Sequence, residues 1–190
     1  MTWTASILPD AANGALAPVY QRIAAASSRG RVSNLWLAMG RDPLALEATF
    51  ALYMSLVKHP APLSAAQAHL VALVVSATNG CGYCVAHHGP KLAAASGDEA
   101  LARAVAMDYR GANLAARDRV LLDYCVALTC EPSERTLADI ERIREYGFND
   151  AAIVRATALA GFYNHVNRVV SSLGVELESD VPAWEFGAQK

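Results

Sequence analysis

Charge is scarce in this chain. Asp, Glu, Lys and Arg make up only 18% of its 190 residues and nearly cancel, to a formal net charge of −2. That balance gives no electrostatic reason to expect nucleic acid or an anionic membrane surface as a partner. Long apolar runs are missing too: no uninterrupted stretch approaches the length of a bilayer span, so no membrane partner is expected. The opening Met1-Thr2-Trp3-Thr4-Ala5-Ser6 carries no basic region before an apolar run, and Pro9-Asp10 interrupts it early, so a secretory signal is not expected and a cytoplasmic setting is. Alternating clusters of β-branched residues are few, which argues against a parallel sheet. No Gly-rich phosphate loop, nucleophile elbow or paired carboxylates stand out, and no cofactor is expected.

Alanine and leucine dominate instead, with apolar residues recurring every three or four positions in a chain that is 54% hydrophobic. This pattern predicts an all-α fold, a compact helical bundle forming one domain over residues 1–190. Helices are expected over roughly Ala17–Ser27, Val32–Met39, Pro43–Lys58, Ala65–Ala77, Cys81–Ala95, Asp98–Tyr109, Ala115–Leu128, Glu134–Tyr146 and Asp150–Leu173. Several ends have a stated cause. Asp42-Pro43 pairs a capping acceptor with proline at the first helical position, and Ser64 with Gln67 reads as a capping box. Gly97 and Gly147 stand where helices should stop.

The chemistry concentrates in Cys81-Gly82-Tyr83-Cys84 followed by His87-His88. On a helix the two cysteines are i,i+3 neighbours with Cβ atoms roughly 5–6 Å apart, close enough to form a disulfide after modest movement. His88 lies four residues beyond Cys84 on the same stripe, whereas His87 is expected to point away from it. Asn79-Gly80 is a turn signal that places Cys81 at a helix N-terminus, where unpaired N–H groups favour a thiolate. The dipole alone is insufficient: a majority thiolate at pH 7 needs roughly 2.7 kcal/mol, and a helix end supplies about 0.3–1. A nearby base or cation is required, and His88 is the obvious one. A tight antiparallel hairpin at Asn79-Gly80 also brings His69 level with His88, either as a participant or as packing between the two helices.

Redox chemistry is the leading reading of the cysteine pair. A zinc site is the weaker alternative, because Cys81, Cys84, His87 and His88 crowd one helix where a structural zinc draws four ligands from separated elements; no metal is expected. Simple packing of two small residues is the third. Cys125, within an apolar helix, and Cys130, following that helix's end just before Glu131-Pro132, read as inert thiols. His165, between Asn164 and Asn167, is a candidate for a pocket but fits an internally bonded histidine better, and His59 beside Pro60 reads as solvated. Trp36, Phe50, Tyr53, Phe162 and Tyr163 recur at helical spacing and read as core or subunit packing.

Leu63-Ser64 opening a helix, the run Val74-Val75-Ser76-Ala77-Thr78-Asn79-Gly80-Cys81-Gly82-Tyr83-Cys84, and His88-Gly89 resemble the alkylhydroperoxidase D-like and carboxymuconolactone decarboxylase superfamily, specifically its peroxidase-related branch. Arg117 to Tyr124, Gly147 to Asp150 and Tyr163 to Val169 extend the resemblance over most of the chain. It implies a thiol-dependent peroxidase in which Cys84 attacks a hydroperoxide, Cys81 resolves the sulfenic acid, and His88 belongs to a proton relay. It further implies homo-oligomers and an external dithiol reductant, of lipoyl or thioredoxin-like type. One position departs from the pattern: the relay glutamate twelve residues before the first cysteine is His69 here. A second imidazole cannot supply the carboxylate that would stabilise a protonated His88. A decarboxylase-like enzyme using histidine acid–base chemistry and a non-catalytic redox sensor are the alternative functions.

Overall fold

The computed structural model describes residues 2–187, so positions 1 and 188–190 of the expected domain lie outside the described residues. The described residues are all-α, without a strand. The helices are α1 (Leu16–Ala26), α2 (Asn34–Ala38), α3 (Pro43–Tyr53), α4 (Ala65–Thr78), α5 (Gly82–Ser96), α6 (Glu99–Asp108), α7 (Ala116–Cys130), α8 (Leu137–Glu145) and α9 (Asp150–Ser172). None of the described helices is long and apolar enough to cross a membrane.

α4 is the axis of the bundle. Its sequence is apolar on every side, a pattern that requires burial all round, and ten of its 14 residues are buried, packed by α5, α6, α7 and α9. Its start is fixed by the capping box: the Ser64 hydroxyl accepts the Gln67 N–H at 3.1 Å while the Gln67 side chain accepts the Ser64 N–H at 3.1 Å. Its end is the turn at Asn79 and Gly80, where Gly80 takes φ +69°. The chain then reverses into α5, which runs through Gly89-Pro90 without a break and stops at Gly97 in the left-handed conformation.

Two expectations change at the edges of this frame. The helix predicted to reach Lys58 is α-helical only to Tyr53, and Met54–Lys58 winds as one wider π turn. The helix predicted from Glu134 starts at Leu137, because Pro132–Glu134 forms a separate 3₁₀ turn and Thr136 with Asp139 makes the capping box.

Beyond α9 the described residues carry no helix and turn back across the bundle. Val181 and Trp184 are buried along this tail; Trp184 lies on Gly89 and Phe186 on Gly82. A Cβ at Gly89 would stand 2.7 Å from the Trp184 ring, so the tail docks only because α5 has no side chain there. The Gly187 N–H then reaches the Ala106 carbonyl at 3.1 Å, anchoring the tail to α6.

Candidate active site

Cys81 is the N-cap of α5, one position before the helix, and Cys84 lies in its first turn. Both are free thiols and both are buried. The Cys84 thiol donates to the Cys81 sulfur, which together with the N–H groups of Cys84 and Tyr83 and the Asn167 amide holds the Cys81 thiol below its ordinary range, against the effect of burial. Cys84 is held well above its ordinary range by that same hydrogen bond, by burial and by the adjacent negative sulfur. Within the pair, negative charge is therefore favoured on Cys81 over Cys84.

Asn167 was not legible as a site residue. It is buried on α9, donates to the Ser76 hydroxyl at 3.1 Å, and accepts from the Asn79 amide at 2.9 Å. Asn79, the turn residue, thus braces α9 against the start of α5, with a second bond to Asn164 at 2.9 Å. His165 between them is exposed and faces away from the cavity described below, so its pocket role is not supported.

The hairpin places His69 opposite His88, with the two Nδ1 atoms 3.3 Å apart. The other ring nitrogen of His88 meets the Tyr163 hydroxyl at 3.0 Å. Both nitrogens of His88 are thus engaged by groups other than Cys84. Burial first, then the positive charge of Lys91, push His88 well below the usual histidine range. Burial, with Lys91 and Lys58, brings His69 to about 4. The expectation that His88 serves as the base or cation beside the thiol is therefore corrected: both its nitrogens are engaged elsewhere and its ring is uncharged at neutral pH, and it is the N-cap, the second thiol and Asn167 that favour a thiolate at Cys81.

His87 requires a second correction. It does not point away from Cys84 and His88 but lines the same cavity and pairs with Glu178 of the C-terminal tail, Nε2 to Oε2 at 2.9 Å. Glu178 is buried and accepts two further bonds on its other oxygen, from the Asn34 N–H at 2.7 Å and the Tyr83 hydroxyl at 2.8 Å. Burial would raise this carboxyl, yet the bonds from His87 and Asn34 outweigh it and hold Glu178 at about 2. The site therefore has a carboxylate–imidazole pair, built from His87 and Glu178 rather than from position 69 and His88.

These groups face a cavity of about 430 Å³. Cys84 lines it and Cys81 does not; His87, His88, Tyr163 and Glu178 lie around the sulfur. Trp36, Phe50, Tyr53 and Phe162 pack edge-to-face or stacked as a cluster, and the same rings form the cavity wall, which packing alone did not anticipate. Cys125 is enclosed elsewhere on α7, its thiol pushed up to about 12 by burial, and Cys130 is exposed at that helix's end. His59 is exposed. Among the described residues no group of three or more His, Cys, Asp or Glu side chains is arranged to hold a metal ion.

Comparison with known proteins follows the same lines. The sequence model of the carboxymuconolactone decarboxylase family matches residues 43–121, the span from α3 into α7. No curated protein matches the chain. An uncharacterized peroxidase-related protein from Silicibacter sp. TM1040 has 33% identity over 93% of this chain and 90% of its own, with a TM-score of 0.81. An alkylhydroperoxidase AhpD core, an uncharacterized peroxidase-related protein from Ralstonia eutropha JMP134, superimposes with a TM-score of 0.86 at 24% identity over 95% and 94% of the two chains. The debrominase Bmp8 in complex with 2,3,4-tribromopyrrole shares the fold at 17% identity, with a TM-score of 0.75 over 94% and 95%.

Proposed function

Because this chain belongs to the alkylhydroperoxidase D-like and carboxymuconolactone decarboxylase superfamily, we propose that it is a thiol-dependent peroxidase-like oxidoreductase acting on hydroperoxides through Cys84 and Cys81. The observation that carries this reading is the division of labour between the two sulfurs: Cys84 lines the cavity, while Cys81 sits behind it at the N-cap, where its surroundings favour the thiolate more than those of Cys84 do.

In the resting pair the Cys84 proton lies in a hydrogen bond to the Cys81 sulfur. Its transfer to Cys81 leaves a Cys84 thiolate facing the cavity. That thiolate attacks the terminal oxygen of a hydroperoxide; the O–O bond breaks, Cys84 becomes a sulfenic acid, and the departing alkoxide takes a proton to leave as an alcohol. His87, positioned by Glu178 beside the cavity, is the donor of that proton. The Cys81 thiol then displaces hydroxide from the sulfenic sulfur, forming the disulfide and releasing water. Overall one dithiol and one hydroperoxide yield one disulfide, one alcohol and one water. An external dithiol restores the pair by exchange, itself oxidised to a disulfide, in a reducing cytoplasm.

His88 and His69 are assigned to proton movement beneath Cys84 as neutral groups. Homo-oligomerisation belongs to the same reading and is supported by exposed Leu44, Leu52 and Val154 on α3 and α9. The test is single-turnover kinetics with cumene hydroperoxide. Cys84→Ser should lose the reaction, whereas Cys81→Ser should oxidise once and trap a sulfenic acid at Cys84. Equal first-turnover rates for Cys84→Ser and the wild type would overturn the assignment of the attacking thiol. Activity on a lactone surviving in Cys84→Ser would favour acid–base chemistry by His87 and Glu178 instead.

A further inference from the structure

The stripe of α5 that carries Cys84, His87 and His88 continues one turn to Lys91, seven residues beyond Cys84 and about 10 Å along the helix axis. Lys91 is half-buried and lines the cavity, and no hydrogen bond or ion pair engages it among the described residues. Lys58, at the end of the π turn, lines the same cavity and is equally unpartnered. The other charges there are committed. Glu178 is held by Asn34, Tyr83 and His87, and Arg29 and Arg31 at the rim share Asp180 outside it. His69, which feels both lysines, offers no counter-charge.

A lysine in such surroundings loses solvation without gaining a hydrogen-bonded partner in exchange. Burial, then Lys58 and Arg29, lower its pKa. A charge on Cys84 opposes these effects to a lesser degree, and an arriving anion relieves each of them.

We infer that the cavity takes a substrate bearing a carboxylate, which sits on Lys91 with Lys58 beside it, while an apolar or aromatic body lies along Trp36, Phe50, Tyr53 and Phe162 and the reactive end reaches Cys84. This rests on the peroxidase reading only for the chemistry at that reactive end; the carboxylate site stands on Lys91, Lys58 and the cavity.

Equilibrium binding of 4-isopropylbenzoate against 4-isopropylbenzyl alcohol tests it without any turnover. The two share one body and differ in charge. The carboxylate should bind about tenfold or more tightly. Lys91→Gln should abolish that preference, Lys91→Arg should keep most of it, Lys58→Gln should weaken it, and Arg31→Gln should leave it unchanged. Equal affinity of the two ligands for the wild type would overturn the inference. So would a preference that survives in folded Lys91→Gln, or one lost in Arg31→Gln, which would move the anion to the rim. In turnover, carboxylated cumene hydroperoxide should exceed cumene hydroperoxide in kcat/KM. Absence of turnover with both, alongside intact carboxylate binding, would refute the peroxidase reading and leave the carboxylate site standing.

Discussion

Replacing Glu178 by Gln keeps the shape of the side chain and removes its charge. One oxygen remains to accept from Asn34 and Tyr83, but an amide NH₂ now faces His87 where a carboxylate oxygen stood at 2.9 Å. His87 must then accept rather than donate, and its protonated form loses its anion. The magnitude follows from the carboxyl itself, held at about 2 instead of its ordinary 4.5. Such a difference corresponds to about 3 kcal/mol of folding stability, which solvent access near the cavity reduces toward about 2. Because the folded pKa is the lower one, this stability is fully present above about pH 5 and is lost as pH falls toward 2. Glu178→Gln should therefore melt about 5–10 °C below the wild type at pH 7, and the gap should close as both proteins are taken to acid. Calorimetric melts from pH 7 down to pH 3 check this. A difference that stays constant across that range would mean the loss is one of packing, and the electrostatic reasoning would be wrong. With hydroperoxide the same variant should lose about tenfold or more in kcat, since the alkoxide's proton donor has lost its orienting partner.

His69→Glu should set a carboxylate against His88, raise the pKa of that ring and alter the pH–rate profile; it should also give Lys91 an internal counter-ion and weaken 4-isopropylbenzoate binding, and a folded variant unchanged in both would show that His69 only packs. Gly89→Ala should cost about 1–3 kcal/mol by urea titration, because the new Cβ meets the Trp184 ring at 2.7 Å; an equal or higher midpoint would show that the tail yields without loss. Iodoacetamide should label Cys130 rapidly in the native protein and leave Cys125 unmodified until unfolding, and early labelling at Cys125 would contradict its burial.

Much of the frame was legible because it is local. The capping box at Ser64 and Gln67, the N-cap at Asp42 and the glycine stop at Gly97 each act within four residues, and each forms as expected. The approach of His69 to His88 was legible for a related reason: one short turn fixes the register of two helices. Glu178 was not. It lies 91 residues from His87, in a tail without helical periodicity, and reaches α5 only through the docking of Trp184 and Phe186 onto two glycines. The reading of His87 as turned away from Cys84 and His88 failed with it, since the carboxylate that holds its ring at the cavity has no local signal. Asn167 was hidden differently. It stands on an apolar helix whose pattern explains packing, and its part in holding charge at Cys81 depends on α9 crossing behind the hairpin.

Tyr163, His88 and His69 form a line of three neutral groups in which each contact holds one proton. If the tyrosine hydroxyl donates to Nε2 of His88, then Nδ1 of His88 carries a hydrogen and gives it to His69; if His69 donates, the order along the line reverses and the tyrosine accepts. These are two tautomeric settings of one chain, and moving between them keeps all three groups neutral when one end of the line gains a proton as the other releases one. The burial that makes His88 a poor cation leaves this exchange available. A proton can thus be relayed along the line, entering at one end as another leaves at the other, with no side chain required to swing.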